Sequence, residues 1–280
     1  MGTLYYYAKE DNAAAVAAYR IECRSDLIVG ALDGTHWSAA LVLHSMFGDR
    51  IKCSSIQNNT WYHFNGQIWA TMDDGYVLSR YISTDLAKKF ATKMAEISLK
   101  IASTTDEPMI AMYSAQAKAA LKAHTCCKST PWKRCVMREC REIFYDQTFR
   151  LKLDRDKYKF AFKNGVYDLR THKLRDGQPD DFISVHSPID YSTFQYTDEL
   201  VLQCEELLCK LFPDEHVRQY FTSISADKFV GGNTHKTFDL WTGSGDNGKS
   251  IIQTLFELIF GKMAVKLNTQ YFTGKKPPTG

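Results

Sequence analysis

The residues best suited to chemistry are Gly243, Ser244, Gly245, Asp246, Asn247, Gly248, Lys249 and Ser250, which follow one another in the spacing G-x-x-x-x-G-K-[ST]. A triphosphate concentrates negative charge, so it binds where several backbone N–H groups can point at one spot. Only a loop poor in Cβ atoms curls tightly enough to do that. Gly243, Gly245 and Gly248 permit the curl. Lys249 offers a cation to the β- and γ-phosphates of ATP, Ser250 a hydroxyl to Mg²⁺, and the helix that follows the positive end of its dipole. Asp246 is expected to face solvent, because a carboxylate turned toward the phosphates would repel them.

Such a loop needs a strand entering it and a helix leaving it. Thr237, Phe238, Asp239, Leu240 and Trp241 read as the strand, and Ser250 to Phe260 as the helix. One further strand is expected at Ala264 to Leu267. Hydrolysis also calls for an acidic residue at the end of a neighbouring hydrophobic strand, and no apolar run ending in paired carboxylates follows Ser250. A parallel sheet of two strands cannot cover its own faces. The expectation is therefore the opening of a nucleotide domain, in a chain that is a fragment, a split-gene half or a frame-truncated product.

Upstream, the hydrophobic period divides the chain into four regions. Residues 1–78 read as a small α+β module: helices over 11–24 and 37–47, then strands at 51–56, 61–64 and 67–69 joined by tight turns. Residues 79–145 read as basic and helical, with helices over 79–99, 107–125 and 131–144. Residues 146–230 mix strands at 158–162, 166–169 and 182–185 with helices over 199–211 and 214–229, and residues 176–181 form a loop. Residues 231–280 begin the α/β phosphate-loop domain. In Asn164-Gly165-Val166-Tyr167-Asp168-Leu169 the first two residues read as a turn, and Tyr167 and Leu169 as packing positions.

Composition narrows the class. At 44% apolar and 24% charged, a chain of 280 residues can bury more than one core. No apolar run approaches the length of a membrane span, and the amino terminus has no secretory pattern, which points to a cytosol or nucleus. Eight cysteines are then expected to be free thiols. His124, Cys126, Cys127, Cys135 and Cys140 lack the paired-thiolate spacing of a zinc knuckle, and Cys135, Met137 and Cys140 suit helix-packing positions. The net charge of +3 hides a polarity. Lys88 to Arg175 holds 20 basic against 9 acidic residues, and Asp176 to Tyr220 holds 2 against 10. The basic segment, with its interleaved aromatics, suits either a nucleic-acid surface or solvated helix faces over buried strands.

The succession Trp61-Tyr62-His63-Phe64-Asn65-Gly66-Gln67-Ile68-Trp69, Phe144-Tyr145-Asp146, Phe149, Leu153-Asp154, Asn164 to Leu169, Gly177-Gln178-Pro179-Asp180-Asp181, Leu211-Phe212-Pro213 and Trp241 to Ser250 resembles the poxvirus-type primase-helicases of large DNA viruses and some phages. The phosphate loop is similar to that of superfamily 3 helicases. The resemblance implies an AAA+-like motor, a homo-oligomer and usually a hexamer, that moves on single-stranded DNA using ATP and Mg²⁺ beside other replication proteins. Carried over by residue, it assigns nucleotide binding to Gly243, Gly248, Lys249 and Ser250. The family's later acidic, polar and arginine motifs and its upstream primase domain have no counterpart among these residues. Two other readings stand beside it: a non-catalytic DNA-binding or oligomerisation module with a relic phosphate loop, and a small-molecule kinase.

Overall fold

The computed structural model describes residues 23–233, 236–243, 245 and 247–271. The chain forms two compact units, one of residues 1–64 and 70–150 and the other of residues 65–69 and 151–280. The helix expected over 11–24 falls almost wholly outside the described residues, although residues 23–30 are helical.

In the first unit, helix α1 (His36–Phe47) begins where Thr35 accepts the Ser38 N–H at 3.2 Å, and it buries Ala39, Ala40, Val42 and Leu43 on one face. Strands β1 (Ile51–Ser55) and β2 (Thr60–Phe64) pair antiparallel, with Ile51 opposite His63 and Cys53 opposite Trp61. Strand β3 (Trp69–Met72) completes the sheet in the order β1-β2-β3, two residues later than the sequence period suggests. The helix expected over 79–99 is three pieces in continuous register: α2 (Tyr76–Tyr81), a π-helical turn (Ile82–Leu86) and α3 (Ala87–Ser103). The wider turn lets Ile82 and Leu86, one at each end of it, both face the core. Helices α4 (Glu107–Cys126) and α5 (Thr130–Ile143) follow as expected, each opening on a proline in its first turn. The core gathers Leu43, Trp61, Leu78, Phe90, Val136, Cys140 and Phe144. Cys53 then donates to the Phe144 carbonyl and accepts from Asp146, both at 2.9 Å, so the chain leaving α5 lies along β1. A short helix α6 (Phe149–Lys152) follows.

The second unit is built on an antiparallel meander of β4 (Lys159–Phe162), β5 (Gly165–Asp168) and β6 (Lys173–Arg175). The expected turn lies between Phe162 and Gly165, which stand opposite each other, and β6 has no counterpart among the expected strands. Alternation sends Ala161 and Val166 toward Ile68 and Ile183, and Phe160, Phe162 and Tyr167 toward Phe229, Phe256 and Phe260. Helices α7 (Glu199–Leu211), α8 (Glu215–Asp227) and α9 (Lys249–Phe260) complete it.

Three expected strands do not form. Residues 182–185 make single backbone bonds instead of a ladder, with the Ile183 carbonyl accepting from Trp69 and the Phe182 carbonyl from Asp154. Residues 237–241 and 264–267 have no regular structure, and no described strand lies beside them to receive their hydrogen bonds. The described architecture is thus α+β with two small antiparallel sheets, and the parallel sheet expected of the phosphate-loop domain is not among the described residues.

Candidate functional site

The phosphate-type loop is fixed to the second unit through α9. Phe256 and Phe260 on that helix reach the aromatic cluster beneath the meander, where the Phe160 and Phe260 rings lie 5.8 Å apart. Ser187 Oγ donates to the Ile259 carbonyl at 2.5 Å, and Trp241, just before the loop, packs edge-on to Phe221 with ring centroids 6.0 Å apart. Both ends of the loop are therefore held by rings rather than by a sheet.

Within the loop, Gly248 takes φ 78° as the residue that opens α9, and a Cβ there would overlap the Leu211 side chain. Glycine is required on both counts. A Cβ on Gly243 would overlap the Asn247 amide and lie 3.1 Å from Lys249 Nζ. The Lys249 ammonium donates to Asn247 Oδ1 at 2.5 Å, so the cation is folded back over the loop. The first turn of α9 has no side-chain cap and no acidic residue, which leaves its N–H groups to attract an anion. Ser250 is exposed at this end, and its carbonyl accepts from Thr254 Oγ1 at 2.9 Å. Ser244 and Asp246 lie outside the described residues, so the expectation that Asp246 faces solvent has no geometry to meet. The structure brings Gly243, Asn247, Gly248 and Lys249 together and leaves Ser250 on the rim.

Beside the loop opens a cavity of about 470 Å³, within the range of small-molecule pockets. Thr242, Asn247, Gly248 and Lys249 form one end, and Phe212, Tyr220, Phe221, Phe238 and Trp241 give the walls an aromatic character. The sequence spacing contains no sign of the wall residues from α7 and α8. Their only trace is Leu211-Phe212-Pro213, which belongs to the resemblance. A larger cavity, about 1030 Å³, lies between β4 and the end of α8, and two ion pairs line it: Lys228 pairs with Asp239 at 2.7 Å and Lys159 with Asp181 at 2.9 Å.

That second ion pair belongs to a network absent from the sequence reading. Asp181 sits in a segment whose sequence reads as loop, yet it is buried and accepts from both terminal guanidinium nitrogens of Arg175, from Lys159 Nζ and from the Gln178 N–H. Burial alone would raise its carboxyl, but the hydrogen bonds from Arg175, Lys159 and Gln178 outweigh burial and hold it below the usual carboxylate range. Asp168 accepts from the Arg170 N–H at 2.8 Å, which is a turn contact. Of the histidine and cysteine cluster, Cys127 and Cys140 are buried in the first unit's core, and burial pushes the Cys127 thiol up to about 12. Among the described residues no group of three or more His, Cys, Asp or Glu side chains is placed to hold a metal ion.

A family profile described as D5 N terminal like matches residues 40–230. The chain belongs to this family. The chain's resemblance to the primase-helicases of large DNA viruses is borne out by the relatives. A protein of Acanthamoeba polyphaga mimivirus that bears a helicase name is 29% identical over 276 residues, covering 99% of this chain and 29% of the relative. One of Invertebrate iridescent virus 3, also with a helicase name, is 30% identical across 99% of this chain and 33% of its own length. A protein of African swine fever virus with a primase name is 21% identical across 86% of this chain and 27% of its own. The chain spans about a third of the length of the curated relatives it matches. Among the described residues no helix is long and apolar enough to cross a membrane.

Proposed function

We propose that this chain contributes the nucleotide-binding entrance of a replicative helicase of a DNA virus, in which ATP binding and hydrolysis are coupled to movement on DNA. The loop of residues 243–250 and the amino end of α9 hold the β- and γ-phosphates, Lys249 neutralises them, and Ser250 contributes one oxygen to a Mg²⁺ whose other ligands are phosphates and water. The cavity walled by Tyr220, Phe238 and Trp241 is wide enough for the base and ribose. The observation that carries the reading is the Lys249 ammonium poised over Gly243 at an uncapped, acid-free helix end. A bound phosphate would take over the hydrogen bond that Asn247 now receives. A homo-oligomeric ring acting beside other replication proteins, and unwinding coupled to hydrolysis, belong to the same reading and rest on the family alone.

Calorimetric titration with ATP and magnesium tests it. The expected result is saturable heat that vanishes in Lys249→Ala, whereas Ser250→Ala keeps nucleotide binding and loses its magnesium dependence. Equal heats from wild type and Lys249→Ala would exclude a nucleotide site at this loop and leave a DNA-binding module with a relic loop.

A further inference from the structure

Between Pro108 and Arg138 the sequence has six Lys or Arg and no Asp or Glu. This run is α4 after its first residue, Glu107, the corner that follows, and α5 as far as Arg138, short of Glu139 and Glu142. Lys118, Lys122, Lys128, Arg134 and Arg138 are exposed. Among the described residues none of the five makes an ion pair, although other cations such as Lys93, Lys159, Arg170, Arg175 and Lys228 do.

Their placement is specific. Lys118 and Lys122 are one turn apart on α4, away from the buried Ala120 and Ala123. Arg134 and Arg138 are one turn apart on α5, opposite the buried Val136 and Cys140. At a rise of 1.5 Å per residue all five stand within about 12 Å of the corner along either helix. Like charges at this spacing cost each helix about 0.2–0.5 kcal/mol. A solvated face would ordinarily intersperse carboxylates, as α7 does with Lys210 on Glu206.

We infer that the α4–α5 corner of the first unit is a docking surface for the sugar–phosphate backbone of DNA, read without regard to base sequence. A polyanion offsets the repulsion these helices carry, and the release of its counterions drives binding. The bases are not read, because between Pro108 and Arg138 no aromatic ring is exposed to stack on them. Tyr113 is half-buried under Lys100, and Trp132 is packed against the core. The inference rests on DNA as the partner proposed above, but it uses no residue of the phosphate loop.

Fluorescence anisotropy with short labelled single-stranded and duplex oligonucleotides, across about 50–200 mM salt, tests it. Arg134→Gln/Arg138→Gln is expected to weaken binding at least tenfold at the lower salt. It should flatten the dependence of log affinity on log salt by about 1.8 if the duplex is the ligand and about 1.4 if the single strand is. Lys118→Gln/Lys122→Gln should act alike, and Lys210→Gln, a paired surface cation, should change affinity less than about twofold. Oligonucleotides of different sequence should bind equally. Lys249→Ala should still bind DNA, so that loss of the nucleotide site and loss of this surface are separable. Wild-type affinity and salt slope in both double variants would overturn the inference. So would displacement of DNA by polyglutamate at equal charge, which would make the partner an acidic protein.

Discussion

Whereas the first unit closes over neutral side chains such as Trp61, Phe90 and Phe144 and leaves Lys118, Lys122, Arg134 and Arg138 facing water, the second closes over the charged group of Asp181 and leaves Leu200, Leu202, Phe238, Leu240 and Leu258 facing water. The same cation type therefore does two kinds of work in one chain. Arg175 and Lys159 are structural, since they satisfy a carboxylate that the meander has removed from solvent. Among the described residues Lys118, Lys122, Arg134 and Arg138 make no ion pair, and their cost is justified only by something outside the fold. Composition alone, +3 overall, conceals both facts.

Truncating the neutral core should produce the largest effect. Trp61 is wholly buried, and its indole N–H donates to Asn59 at 2.8 Å, so Trp61→Ala should cost about 3–5 kcal/mol in urea unfolding. Asp181→Ala should come next, at about 3 kcal/mol. That is the low end for breaking a buried pair, because the Arg175 side chain is 35% exposed and can recover water. The pH dependence separates charge from packing. A carboxyl held below its ordinary range stabilises the fold above the unfolded value of about 3.9, and that contribution disappears as pH falls through the lowered folded value. Asp181→Asn should therefore flatten the acid limb of the stability profile, and an unchanged limb would remove Asp181 from the account.

Thiol reactivity probes the same contrast without mutation. Cys127 and Cys140 lie in the first unit's core, and burial raises both thiols, whereas Cys204 and Cys209 of α7 are exposed. Under native conditions near pH 8, Cys204 and Cys209 should alkylate first, and Cys127 and Cys140 should be labelled only on unfolding. Mass mapping of the alkylated peptides reads the order directly.

What the sequence disclosed depends on how local each decision is. Helices α4, α5, α7 and α9 are legible within a residue or two, because their starts are marked locally, by a proline in the first turn of α4 and α5, by Asp198 before α7 and by Gly248 before α9. The strands at 51–55 and 60–64 are legible for the same reason, since a short turn supplies the partner. Residues 182–185, 237–241 and 264–267 have the strand alternation and not the structure, because a strand also needs a neighbour that sequence alternation does not name. The loop spacing is a contiguous pattern, but its cavity wall comes from α7 and α8 and is invisible to that pattern. Asp181 was hidden by its setting: a Gln-Pro-Asp-Asp run reads as a surface turn until β4 and β6 bring Lys159 and Arg175 to it.

The smallest expected effect is the sharpest test of the contrast, because its sign is opposite in the two units. Lys159→Gln removes a partner from a buried carboxylate and should destabilise the fold. Arg134→Gln removes a cation that repels Arg138 one turn away, so it should stabilise the chain by a few tenths of a kcal/mol at low salt. Raising the salt shortens the Debye length to about 3 Å at 1 M and should erase that gain. If Arg134→Gln is instead destabilising at low salt, Arg134 has a partner within the fold, and the α4–α5 corner is no longer a surface that carries a cost in the absence of DNA.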